Sequence, residues 1–212
     1  MRKKLLLTII FWGLLYGASP QSIDNKQPLS ELYIPKKQYD PLVENILSKV
    51  PKNELEDFIS VLKDFAEPRG FDWHLILLVM YNESQVNTKE KSGSFGGLIM
   101  FGSDARRILK VSMEQLLKMN YIEQAKAAIT IWEAAEKMNG VKIDGFQRLQ
   151  ISIFMPYWLK SDGCPYPATA GIKQQNYPFC GADGNISKES IREFYRKKVA
   201  ANGDLKYFLG KI

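Results

Sequence analysis

Glu83 is the residue in this chain best placed to do acid–base chemistry. It stands three positions after the apolar run Leu75 to Met80, within the stretch FDWHLILLVMYNESQVN that spans Phe71 to Asn87. If the stretch is a helix, Ile76, Val79 and Met80 fall seven, four and three residues before Glu83 and share its face. Asp72 can cap the helix start, with Phe71 and Ile76 at the positions of a hydrophobic staple. The carboxyl then emerges from an apolar stripe near the negative end of a helix dipole. Both conditions disfavour its charged form and raise its pKa, as a general acid at neutral pH requires. Pattern alone leaves open a plainer alternative, a buried strand or core helix with Glu83 merely exposed at its end, because a short apolar run does not separate strand from helix.

Other chemistries find less support. His74 is the sole histidine and falls inside the apolar run, where a packed or hydrogen-bonded role is expected. No CxxC, HExxH or second histidine offers a metal site, and no cofactor is implied. The segment Ser92-Gly-Ser-Phe-Gly-Gly97 lacks the spacing of a phosphate-binding loop. Ordinary glycoside hydrolysis uses two carboxylates flanking the bond. Candidates for a second one are Asp72, Glu90 and Asp104, and each has a structural explanation: a helix cap, a lysine-flanked polar loop and the first turn of a helix.

The chain has 212 residues, 45% hydrophobic and 25% charged, enough for one globular domain with a core. Its first residues read as an export signal, with Arg2, Lys3 and Lys4 ahead of an apolar stretch from Leu5 to Gly17 and then Ala18 and Ser19. The expected organisation is a signal peptide over 1–21, a linker over 22–45 and a domain over 46–212. The protein is then exported to a periplasmic or extracellular space, with an uncleaved N-terminal anchor as the alternative. Loss of residues 1–21 lowers the net charge from +6 to +3, too weak to argue for nucleic acid. In that setting Cys164 and Cys180, the only cysteines, can form a disulfide.

Caps and periodicity mark out an all-α fold of seven to nine short helices with little or no sheet. Helices are expected over Pro41–Val50, over Glu54–Ala66 with Asn53 as cap, and behind a Ser103 cap to about Lys110. Others follow the Ser112/Gln115 capping box, cover Ile122–Met138, start at the Asp144/Gln147 pair, and run from Lys188 to Ala200 behind a Ser187 cap. Prolines 156, 165 and 167 break the chain into a long loop, Tyr157 to Gly184.

Glu83-Ser84, followed about 14 residues later by Gly97-Leu98-Ile99-Met100, resembles the lytic transglycosylase branch of the lysozyme superfamily. That family carries Glu-Ser, then a serine and glycines leading into Gly-Leu-Met-Gln or Gly-Leu-Ile-Gln. Ser94, Gly96, Gly97, Leu98 and Ile99 follow the pattern, and Met100 stands in the place of the Gln. Ser103-Asp-Ala105 resembles the family's Ser-Thr-Ala. Phe154-Met155-Pro156, Asn176-Tyr-Pro178 and Asp183-Gly-Asn-Ile-Ser187 resemble segments of phage-associated relatives, whereas the third family motif, Ala-Tyr-Asn, is not recognisable. The similarity covers roughly Phe71 to Tyr195.

The resemblance implies a lysozyme-like helical fold and cleavage of the β-1,4 bond between N-acetylmuramic acid and N-acetylglucosamine. Glu83 acts alone, first as acid and then as base, and the sugar's 6-hydroxyl closes a 1,6-anhydro ring. Ser84, Ser94, Gly96, Gly97, Leu98 and Met100 become candidate substrate contacts, and Tyr157 and Tyr177 candidate stacking aromatics. The partners implied are peptidoglycan glycan strands and a membrane-associated wall or secretion machinery, for a monomeric protein. Two alternatives stay open: a lysozyme-type hydrolase, and a non-catalytic wall-binding or assembly module that retains the fold.

Overall fold

The computed structural model describes residues 39–154, 156, 159–160, 179–181, 185–201 and 203–212. All belong to one compact unit that runs from Gln38 to Ile212. The chain is mostly helical, as its caps and periodicity predict. In order come α1 (Pro41–Leu47), α2 (Leu55–Ala66), a 3-10 turn (Glu67–Arg69), α3 (His74–Ser84), a hairpin of β1 (Lys91–Ser92) and β2 (Phe95–Gly96), α4 (Ser103–Leu109), α5 (Met113–Lys118), α6 (Tyr121–Asn139), α7 (Phe146–Phe154), α8 (Lys188–Ala201) and a 3-10 helix (Gly203–Phe208).

Helix α3 is the axis of the core. Leu75 to Met80 are all at most 3% exposed, so the helix is enclosed on every side rather than along one stripe. Asp72 starts it, accepting the His74 amide at 2.9 Å. The same carboxylate meets His74 Nδ1 and the Lys211 ammonium, which ties the C-terminus to the start of the core helix. Burial pushes the Asp72 carboxyl up, but the hydrogen bonds from Lys211 and His74 outweigh it and hold the group below its ordinary value. His74 stacks on Trp73 and lies edge-on to Tyr39 and Tyr207, the packed role expected of it.

Around α3, helices α2 and α6 pack together, and α7 sits between α6 and α8. Arg69 locks the first pair with a two-pronged bond to Glu136, Nε to Oε1 at 2.9 Å and Nη2 to Oε2 at 2.8 Å. Glu136 also accepts the Ile143 amide at 2.8 Å, which fixes the approach to α7.

Several boundaries differ from those read in the sequence. The folded unit reaches back before residue 46, because Asp40 caps α1 and Leu42 and Val43 are buried. Asn53 does not cap α2. The residue before that helix is Glu54, whose carboxylate reaches across to accept the Tyr121 amide at the start of α6. Ser103 is the first residue of α4, behind Gly102. The polar loop after α3 contains a small hairpin that turns at Gly93 (φ +58°). The Ser112/Gln115 capping box is present, and Ser187 accepts the Ser190 amide at the start of α8.

Candidate functional site

Glu83 lies in the last turn of α3, half-buried among α3, α7 and α8. Gln150, on α7, donates from Nε2 to Glu83 Oε1 at 3.2 Å. The other end of that amide, Oε1, accepts the Tyr195 hydroxyl of α8 at 2.9 Å. Gln150 and Tyr195 are buried, and Phe146, Phe179 and Phe194 wall the tyrosine ring. The Lys198 ammonium, one helical turn after Tyr195, supplies a positive charge towards Glu83.

Burial pushes the Glu83 carboxyl above its ordinary value. The Gln150 hydrogen bond and the Lys198 charge oppose that rise without cancelling it. Burial, reinforced by the Glu83 charge, raises the Tyr195 phenol well above its usual range despite an opposing hydrogen bond to Asn82, so it remains a donor at any working pH. Lys198 is shifted down by burial against the pull of Glu83.

Behind the carboxyl, Ser84 joins α3 to the Gly-Leu segment. Its Oγ lies 3.1 Å from the Met80 carbonyl and 2.9 Å from the Leu98 carbonyl, and it accepts the Asn87 amide. The two stretches singled out in the sequence are thus held together by a buried hydroxyl. The segment is pinned from its other side by Gln124 of α6, which is fully buried. Its Oε1 accepts the Leu98 amide at 2.9 Å, and its Nε2 donates to the carbonyls of Thr88 and Leu116. Gly97 has φ +77°, and a β-carbon there would stand 2.6 Å from Gln124 Oε1. A β-carbon on Gly96 would meet the Met113 sulfur at 2.8 Å.

These contacts place the residues expected to contact sugar. Ser84 and Leu98 are buried and engaged with backbone and with Gln124. Gly96 and Gly97 press against Met113 and Gln124. All four are buried parts of the scaffold under Glu83. Ser94 is exposed, and its carbonyl accepts a bond from Arg106. Met100 is partly exposed in a turn with φ +51°, its amide bonded to the Gly97 carbonyl. Tyr157, Tyr177 and Cys164 lie outside the described residues. Cys180 forms a β-bridge with Ile186.

The three other candidate carboxylates have separate roles. Asp72 is at the opposite end of α3, and the nine-residue rise from His74 to Glu83 alone amounts to roughly 13 Å. That exceeds the span over which paired carboxylates share a glycosidic bond. Asp104 is exposed and paired with Arg107, and Glu90 accepts from Asn87. Among the described residues no group of histidine, cysteine and acidic side chains can hold a metal ion. No described helix is long and apolar enough to cross a membrane.

Gln150, Tyr195, Lys198 and Gln124 did not emerge from the sequence. The signal available for Gln150 was a polar residue between Leu149 and Ile151, on the apolar side of a helix that also carries Gln147 and Arg148. Comparison with protein-family models, curated proteins and solved structures finds no match for this chain. Its chemistry is therefore argued from its own side chains.

Proposed function

We propose that the protein is an exported peptidoglycan lytic transglycosylase with a lysozyme-like helical fold, and that Glu83 is its acid and base. The observation that carries this is a lone half-buried carboxyl, raised in pKa by its surroundings, standing against a Glu-Ser/Gly-Leu scaffold of buried contacts. The raised pKa enlarges the protonated fraction of the carboxyl at any given pH, in the direction a general acid needs. Protonated Glu83 gives its proton to the glycosidic oxygen as the bond from that oxygen to the muramic C1 breaks. The resulting carboxylate takes the proton of the 6-hydroxyl as O6 bonds to C1. Glu83 is protonated again, and no water is consumed. This chemistry suits a site where Asp72, Glu90 and Asp104 all have other partners.

The residue that stands in the family's Gln position is Met100, which cannot donate a hydrogen bond to the acid. In this chain the amide on the acid comes from Gln150 instead. The test is release of soluble fragments from purified peptidoglycan by the wild type and by Glu83→Gln. Release by the wild type and none by the variant is expected. Equal release by both would overturn the assignment, and no release by either would favour a wall-binding module.

A further inference from the structure

The acid Glu83 touches a side chain that itself has only one way to point. Gln150 has an amide with one accepting and one donating end. Tyr195 decides between them, because its hydroxyl, buried with the ring 1% exposed, sits 2.9 Å from Oε1. A protonated phenol can donate and accept; here Asn82 bonds to its oxygen and its O–H is directed at Gln150 Oε1. It draws the amide oxygen to itself and turns the NH2 towards Glu83 Oε1. The opposite amide orientation would face the carboxylate with a carbonyl oxygen, two acceptors with no proton between them. Among the described residues, Glu83 Oε2 receives no hydrogen bond.

We propose that Gln150, locked by Tyr195, is the positioning residue of Glu83: it reserves Oε1 as a fixed acceptor and leaves Oε2 to carry the proton exchanged with the sugar. This rests on Glu83 being the acid and base. The division of labour follows from the geometry. A proton on Oε1 would confront the Gln150 N–H, so the acid form carries its proton on Oε2. When Oε2 has given that proton to the leaving oxygen, the charge left on the carboxylate is stabilised by the Gln150 donor at Oε1, without reorganisation. The same oxygen then recovers a proton from the 6-hydroxyl. Across this cycle Gln150 gains and loses nothing. The groups facing Glu83 from the elements packed on it are Gln150 of α7, Tyr195 and Lys198 of α8, and Asn82 of its own helix.

The test compares the full-length chain with Gln150→Leu and Tyr195→Phe, using two readouts. The first is the Glu83 titration, followed by NMR of carboxyl-labelled glutamate and assigned with Glu83→Gln. The second is the pH–rate profile of fragment release. Loss of a donor to the carboxylate moves the Glu83 midpoint to higher pH in Gln150→Leu. Tyr195→Phe keeps the ring packing but frees the amide, and shifts the midpoint in the same direction by less. The alkaline limb of kcat follows these midpoints, and kcat falls about tenfold or more in Gln150→Leu with KM little changed, as expected when an acid is misplaced rather than substrate lost. Unshifted midpoints in both variants would overturn the positioning role. If the wild type releases no fragments, the enzymatic assignment fails on its own, and the NMR titration still decides whether Gln150 governs Glu83. A merely structural role would lower the melting temperature and leave midpoint and limb in place.

Discussion

Gly97→Ala isolates the clamp that seats the Gly-Leu segment under Glu83. Two costs add at this position. The backbone sits at φ +77°, where a side chain costs about 1–2 kcal/mol relative to glycine. The new β-carbon would lie 2.6 Å from Gln124 Oε1 and 3.1 Å from the Phe101 ring. A flexible side-chain end can usually swing away from such an intrusion. Gln124 cannot do so cheaply, since it is fully buried and bonded to Leu98, Thr88 and Leu116. Moving it strands the buried Leu98 amide, a loss of about 1–3 kcal/mol. The total is about 2–5 kcal/mol, read by urea unfolding with the slope checked for constancy. Gly93→Ala is the control. It has φ +58° and nothing within 4 Å of the added carbon, so only the backbone cost of about 1 kcal/mol applies. Equal losses in the two variants would refute the claim that Gln124 clamps this segment. Because Leu98 in turn meets Ser84, Gly97→Ala is also expected to lower fragment release more than Gly93→Ala does.

Further predictions concern charge. A carboxyl whose pKa is raised on folding destabilises the fold as pH climbs from its unfolded to its folded value, by up to about 1.4 kcal/mol for each pH unit of that window. Glu83→Gln should therefore melt higher than the wild type near neutral pH and at the same temperature in acid below the ordinary carboxyl range; a pH-independent difference would contradict the raised pKa. Asp72 has the opposite sign, its folded pKa being depressed, so its contribution is complete above the ordinary carboxyl range and is lost as pH falls through the folded value. Acid titrations of stability should be flatter in Asp72→Asn, and an unchanged acid slope would count against the Lys211 and His74 bonds. Glu136→Gln strands the nearly buried Arg69 and should cost about 3 kcal/mol in chemical unfolding, whereas Glu114→Gln, whose pair with Lys118 is exposed, should change little. Similar effects of the two would remove the case for the Arg69 lock.

Local signals carried much of this architecture. The run Leu75 to Met80 marked a buried segment without separating helix from strand, and Asp72, Ser112/Gln115 and Ser187 announced helix starts, because capping is settled within three residues of chain. Glu83 was legible because its apolar neighbours recur at helical spacing. What it touches was not. Gln150 and Glu83 are 67 residues apart, as are Glu54 and Tyr121, and nothing in an amide between two apolar residues says which distant group it will face. Glycine types were visible at Gly96 and Gly97, but the side chains they pack against were not. The close approach they allow within the fold is to Met113 and Gln124. The hairpin escaped for a different reason: strands of two residues with mostly exposed side chains leave no alternation to detect.

Mass spectrometry of the fragments released from purified peptidoglycan tests the central claim most directly. Transfer to the 6-hydroxyl by Glu83 predicts muramic ends lighter than reducing ends by the mass of one water, made by the wild type and not by Glu83→Gln. Reducing ends would mean that water is the acceptor and that the site is a hydrolase. Intact glycan after incubation with folded wild-type protein would contradict the enzymatic assignment itself.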